Sequence, residues 1–149
     1  MHVGEVMTAA VVTAALSCSV REAAELMREH NVGSIVLVDD SGHPVALVTD
    51  RDLAISCLAA ACDPAEPARD HGSSPVVCGE PGMAVSDAAD LMSEHAIRRL
   101  PVLEHGALAG IVTLDDLAVR TGDLELGQRL TTQITRAALP DFYFHERGD

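Results

Sequence analysis

Two copies of one short unit hold the side chains best suited to chemistry. Val48-Thr49-Asp50-Arg51-Asp52-Leu53 and Val112-Thr113-Leu114-Asp115-Asp116-Leu117 each close an apolar run with Thr, two spacers, Asp and Leu. A hydroxyl three residues before a carboxylate is a helix-start signature. The Thr caps a backbone N–H and the Asp reaches back. Capping alone explains both copies. The same groups beside free N–H donors at a helix start also suit a small polar ligand. Arg98 and Arg99 could add cationic forks that match phosphate oxygens, or could pair with surface carboxylates. The matching positions in the first half, Gly33 and Ser34, carry no charge, so the two halves are expected to differ. His30 and His95 stand at matching helix ends, where the dipole favours the protonated ring. No Ser-His-Asp, Cys-His or metal-ligand grouping stands out, so the expectation is a binding module without catalytic residues or a metal.

These residues are positioned by an internal repeat, the first thing to seek in any chain. At a shift of 65, Val11-Val12 meets Val76-Val77, Val20 meets Val85, and Ala23-Ala24 meets Ala88-Ala89. Leu26-Met27 meets Leu91-Met92 and Glu29-His30 meets Glu94-His95. After one deletion near Asp40 the shift is 64, and Gly42, Val48-Thr49 and Asp52-Leu53-Ala54 meet Gly106, Val112-Thr113 and Asp116-Leu117-Ala118. The spacing predicts β-α-β-β-α in each half. In the first half, Val11-Val12-Thr13 is a short strand and Ser19 opens a helix over Val20 to His30 that Asn31 ends. Ser34 to Val38 and Pro44 to Val48 form a hairpin about Asp39-Asp40-Ser41-Gly42. Thr49 caps a helix running to about Ala61. In the second half the pieces are Pro75 to Cys78, Val85 to Ala96, Leu100 to Leu103, Leu108 to Val112 and Leu114 to Arg120. The expected division is residues 1–62 for the first repeat, 63–69 for the linker, 70–122 for the second repeat and 123–149 for a C-terminal helix and tail.

In that tail Asp123 is the expected N-cap, and Leu126, Leu130, Ile134 and Ala137 recur on one helical face. Phe142-Tyr143-Phe144 are the only aromatic residues of the chain. The tail either docks on another subunit or folds onto its own domain.

Composition removes several classes. A formal net charge of −13 argues against a nucleic-acid binder and against an anionic membrane surface. No apolar run approaches a membrane span, and the first residues do not read as a signal peptide, so the expected location is cytoplasmic. Cys18, Cys57, Cys62 and Cys78 lack Cys-x-x-Cys spacing and are expected to be buried thiols in a reducing compartment.

The repeated pattern resembles tandem cystathionine-β-synthase-type (CBS) domains, which pair into a Bateman module. Its carriers are Val6-Met7-Thr8, Ser73-Ser74-Pro75-Val76-Val77, the helices with Ala-Ala-x-Leu-Met, Arg98-Arg99-Leu100-Pro101-Val102 and both Thr-x-x-Asp-Leu endings. The second copy follows the family pattern throughout; the first has Ala46 where Gly is usual. The architecture is most similar to small stand-alone bacterial CBS pairs. The resemblance implies an α+β fold of two repeats packed about a pseudo-twofold axis. It also implies a regulatory module that senses AMP, ADP, ATP or S-adenosylmethionine, with no cofactor required. The family's roles carry over as Asp52 and Asp116 for ribose hydroxyls, with Thr49 and Thr113 beside them. Val11-Val12-Thr13 and Val76-Val77-Cys78 would face the base, and Arg98 and Arg99 the phosphate. A homodimer through the repeats and an unknown regulated protein are the implied partners. The alternative is a ligand-free dimeric interaction or stress and redox-response module.

Overall fold

The computed structural model describes residues 1–138. Phe142-Tyr143-Phe144, singled out above, lie outside the described residues.

The first repeat follows the periodicity closely. Ser19 accepts from the N–H of Glu22, whose carboxylate accepts from Ser19 N–H, and this box opens α2 (Val20–His30). Val20, Ala23 and Met27 face inward, as their spacing predicts. The hairpin pairs β2 (Ser34–Val38) antiparallel with β3 (Pro44–Thr49). Its turn is fixed by Asp39 Oδ1, which accepts from Ser41 N–H at 2.9 Å and His43 N–H at 3.0 Å. The short first strand, β1 (Thr13–Ala15), begins two residues later than expected and pairs parallel with β2. Val11 and Val12 precede it as irregular backbone, although the Val12 carbonyl already accepts from Val36 N–H at 3.1 Å.

Thr49 caps α3 (Asp50–Asp52), as its sequence predicts, but the helix then widens into a π-helical turn over Leu53–Leu58. In the second repeat, α4 (Val85–Glu94) is followed by β4 (Arg99–Glu104), β5 (Ala107–Thr113) and α5 (Leu114–Arg120). The strand expected at Pro75 to Cys78 does not form. Only Gly79 reaches the sheet, by a single bridge to Val102. Pro75 has no N–H to give a ladder, and the backbone enters pairing distance only where Gly79 N–H donates to the Pro101 carbonyl at 2.9 Å.

The repeats exchange their leading segments. The short helix α1 (Val3–Val6) packs into the core of the second repeat, with Val3 and Val6 beside Val85, Met92 and Leu117. Ala68, 65 residues after Val3, is buried in the core of the first repeat. The bridges repeat the same relation: Thr8 pairs with Ile111, and Ser73 with Leu47. Each crossing needs close backbone approach, and the two halves supply it differently. At the first, a Cβ on Gly110 would lie 2.7 Å from Met7 Sδ and 2.9 Å from the Thr8 carbonyl. At the second, strand position 46 is Ala, and the space comes from Gly72, whose Cβ would sit 2.7 Å from the Leu47 carbonyl. Ala46 is therefore matched by a glycine on the opposing segment.

Asp123 Oδ1 accepts from Leu126 N–H at 2.8 Å and so starts α6 (Leu124–Ala138) as expected. Leu130 and Ile134 are buried in the second repeat's core, which resolves the helical part of the tail in favour of its own domain. Cys57 and Cys62 form a disulfide, while Cys18 and Cys78 remain thiols. The expectation of four buried thiols fails at this pair because the helix end brings both sulfurs to one place, and of the two thiols only Cys18 is buried while Cys78 is half-buried.

Candidate functional site

Crossing of the leading segments puts residues of both repeats around one cavity of about 280 Å³. Its lining includes Thr8, Val11 and Val12 from the leading segment, Gly33 and Ser34 from the start of the first hairpin, and Arg99, Thr113 and Asp116 from the second repeat. Five of the residues expected from sequence are thus brought together: Val11, Val12, Arg99, Thr113 and Asp116.

Asp116 is held by its own helix start. Its Oδ2 accepts from Thr113 N–H at 2.9 Å and from the Thr113 hydroxyl at 2.8 Å. Thr113 Oγ1 in turn accepts from Asp116 N–H at 3.1 Å. The other carboxylate oxygen, Oδ1, lies 3.4 Å from Nε of Arg120, one helical turn on. The Asp116 side chain is 16% exposed and lines the cavity. Arg120 also donates from Nη1 to the carbonyls of Val6 and Met7, both at 3.0 Å, and from Nη2 to Thr8 Oγ1 at 3.3 Å. One guanidinium therefore ties the carboxylate to the segment arriving from the other repeat. Sequence reasoning missed Arg120; its only local signal was the i,i+4 spacing from Asp116.

Arg99 reaches the cavity across the pseudo-twofold relation. A Cβ on Gly33 would stand 3.1 Å from Arg99 Nη2 and 3.3 Å from Asp50 Oδ2. The absence of a side chain at Gly33 thus leaves room for a cation from one repeat and a carboxylate from the other. Gly33 and Ser34 carry no charge, yet they border the cavity that receives Arg99.

The remaining expected residues lie elsewhere. Arg98 is exposed, and its carbonyl accepts from Leu114 N–H. Thr13 pairs with Val36 in the sheet and stays outside the cavity. Thr49 and Asp52 form the same reciprocal cap as Thr113 and Asp116, at 2.9 and 3.1 Å. The position matching Arg120 is Ser56, so no guanidinium stands one turn beyond Asp52. Val76, Val77 and Cys78 belong to the irregular segment, with Val77 packed on the second core. Burial pushes the Cys78 thiol above its ordinary value. For Cys18, burial and then the nearby Glu22 charge act in the same direction.

The same fold recurs among known proteins. A family model for the CBS domain matches residues 3–58 and again 68–120. The CBS domain-containing protein YhcV of Bacillus subtilis is 39% identical over 133 residues, covering 89% of this chain and 94% of that protein. The structure of CBS domain protein PAE2072 from Pyrobaculum aerophilum, complexed with AMP, has a TM-score of 0.76 at 29% identity. It covers 86% of this chain and 99% of its own. The CBS domain pair of protein MJ0100, in complex with 5′-methylthioadenosine and S-adenosylmethionine, has a TM-score of 0.74 at 26% identity. The match spans 82% of this chain and 96% of that one.

Proposed function

This chain belongs to the CBS-domain family as a tandem pair, and from that premise we propose that it is a regulatory module holding an adenosine-containing ligand between its repeats. The observation that carries the reading is the convergence of Asp116, Thr113, Arg99 and the Val11-Val12 backbone on one cavity. A carboxylate accepts only, so Asp116 suits the two hydroxyls of a ribose. Arg99 suits a phosphate, whose oxygens match its guanidinium fork. The carbonyl and N–H groups near Val11 and Val12 can meet the edge of a base. A volume of about 280 Å³ lies just below the usual range of small-molecule pockets, roughly 300–1,000 Å³, and suits a ligand of nucleoside size. The AMP complex of PAE2072 and the adenosine ligands of MJ0100 support the same ligand class.

The test is thermal unfolding of the full chain with AMP, ADP, ATP and S-adenosylmethionine at millimolar concentration. A ligand at 100 times its Kd adds about 2.7 kcal/mol. For a chain of this size that raises Tm by roughly 5–10 °C. Arg99→Ala should remove most of the rise for a phosphorylated ligand, and Asp116→Asn for every ligand with a free ribose. A Tm unchanged by all four compounds would sink the reading for them.

A second reading, self-association, rests on the outer helix faces. Ile55 is 60% exposed and its repeat mate Val119 is 76% exposed, with Leu58 at 80% beside the first. Apolar side chains at symmetry-related positions suit a second copy of the chain. Leu58→Glu should then halve the mass by light scattering, and an unchanged mass counts against this face.

A further inference from the structure

Three helix ends in this chain share one closure. After α2, Asn31 has φ +52° and Val32 N–H donates to the Met27 carbonyl at 3.0 Å. After α4, Ala96 has φ +52° and Ile97 N–H donates to Met92 at 2.9 Å. After the π-helical turn, Ala61 has φ +52° and Cys62 N–H donates to Cys57 at 3.0 Å. This six-residue cap sets the side chains of its first and last residues against one another, normally as an apolar contact. Met27 with Val32 and Met92 with Ile97 supply apolar residues at those two positions, and Ile97 packs on the core that holds Met92. The third pair is Cys57 with Cys62, joined as a disulfide with Cα atoms 4.8 Å apart.

A third donor faces the same place. One ring nitrogen of His71 and both sulfurs lie within 4.8 Å of one another. His71 occupies the position that Val6 holds in the other crossing segment, where an apolar residue suffices. Its side chain is 8% exposed, and Nε2 lies 2.9 Å from Oε2 of Glu66. An ionised carboxylate only accepts, so Nε2 is the nitrogen that donates to Glu66, and Nδ1 is the one left to offer a lone pair to a metal. Nδ1 is 2.8 Å from the hydroxyl of Ser56, the residue before Cys57. A carboxylate orienting an imidazole in this way is the usual second partner of a metal-bound histidine.

We infer that Cys57, Cys62 and His71 form a binding site for a soft divalent cation of the zinc class, open when the disulfide is reduced. A dithiol supplies two electrons and two protons to the sulfur–sulfur bond, giving two thiols, and its own sulfurs close into a disulfide. Metal binding then releases both protons as the thiolates form. Two thiolates and Nδ1 provide three tetrahedral positions and water the fourth. Metal bonds of about 2.3 Å to sulfur and 2.0–2.1 Å to nitrogen place such donors roughly 3.5–3.8 Å apart. The histidine nitrogen therefore needs to approach by about 1 Å, and the two sulfurs, once reduced, to part from bonding distance to the same spacing. The Ser56 hydroxyl gives up Nδ1 to the metal, and Glu66 stays in place.

The experiment is a Co²⁺ titration of the full chain, reduced with a dithiol and desalted without oxygen. The expected result is one Co²⁺ per chain, with a thiolate charge-transfer band and the visible bands of tetrahedral cobalt, all bleached by Zn²⁺. The same protein oxidised with diamide should show none of these bands. Cys62→Ser should lose the charge-transfer band, and Glu66→Gln should bind about 10–100-fold more weakly. Absence of the bands in the reduced protein overturns the inference. So does equal binding by the oxidised protein, a comparison that needs no variant to fold.

Discussion

Replacing Arg120 with Met keeps the aliphatic stem and removes the guanidinium. The two shortest charge-assisted bonds lost run from Nη1 to the Val6 and Met7 carbonyls at 3.0 Å, and the longer one from Nη2 to Thr8 Oγ1 at 3.3 Å goes with them. Such bonds are worth about 1.5–3 kcal/mol each when fully shielded. The side chain is 45% exposed, so water replaces part of the loss and the low end of that range applies. The pair with Asp116 is screened for the same reason and adds at most about 1 kcal/mol. The sum is roughly 3–4 kcal/mol, or a Tm lower by roughly 6–16 °C for a chain of this size. Urea unfolding should show a lower midpoint with an unchanged slope. Hydrogen exchange should localise the effect. The amides of Thr8 and Ile111, which bond to each other's carbonyls at 2.8 and 2.9 Å, should lose protection before those of β2 and β3. A midpoint shift below about 0.5 kcal/mol, with the Thr8 amide still protected, would refute the role given to this arginine.

Gly72→Ala should destabilise by roughly 1–3 kcal/mol, because the new Cβ meets the Leu47 carbonyl and Val48 Cγ2 at 2.7 and 2.8 Å, whereas Gly82→Ala meets nothing and should be near neutral. Equal Tm values for the two variants would contradict the close approach at the second crossing. Burial raises both free thiols, so at neutral pH Cys18 and Cys78 hold less thiolate than an ordinary cysteine. Iodoacetamide labelling of each, read by mass spectrometry against pH, should have its midpoint above the ordinary thiol value, and a midpoint at or below it would count against the burial.

Local signals were legible and non-local ones were not. The Ser19-Glu22, Thr49-Asp52 and Thr113-Asp116 caps each close within four residues, and all three form as their spacing predicts. The bounds of α2, β2 and α5 follow from periodicity and turn residues for the same reason. The first strand of the second repeat failed because β pairing depends on a partner far along the chain, and only Gly79 approaches β4 closely enough. At the site, Asp116 and Thr113 were visible through the repeat, as were Val11-Val12 and Arg99. Their grouping was not, since it depends on which leading segment crosses to which repeat. Gly33 shows the limit: its value lies in the space it leaves for Arg99, which only the fold reveals. Ala61 and Ala96 at φ +52° were equally hidden, because alanine carries no sequence signal for a left-handed cap.

The exchange of leading segments also changes what the connection between the repeats accomplishes. Val3 and Ala68 complete each other's half, as two separate single-repeat chains would have to do on meeting. Joining them in one chain turns that meeting into an intramolecular event, at an effective concentration on the order of millimolar for a short connection. Assembly of the pair then becomes independent of how much protein the cell contains. Neither repeat can loosen without withdrawing a buried residue from the other, so a molecule that tightens the shared cavity is felt in both halves at once.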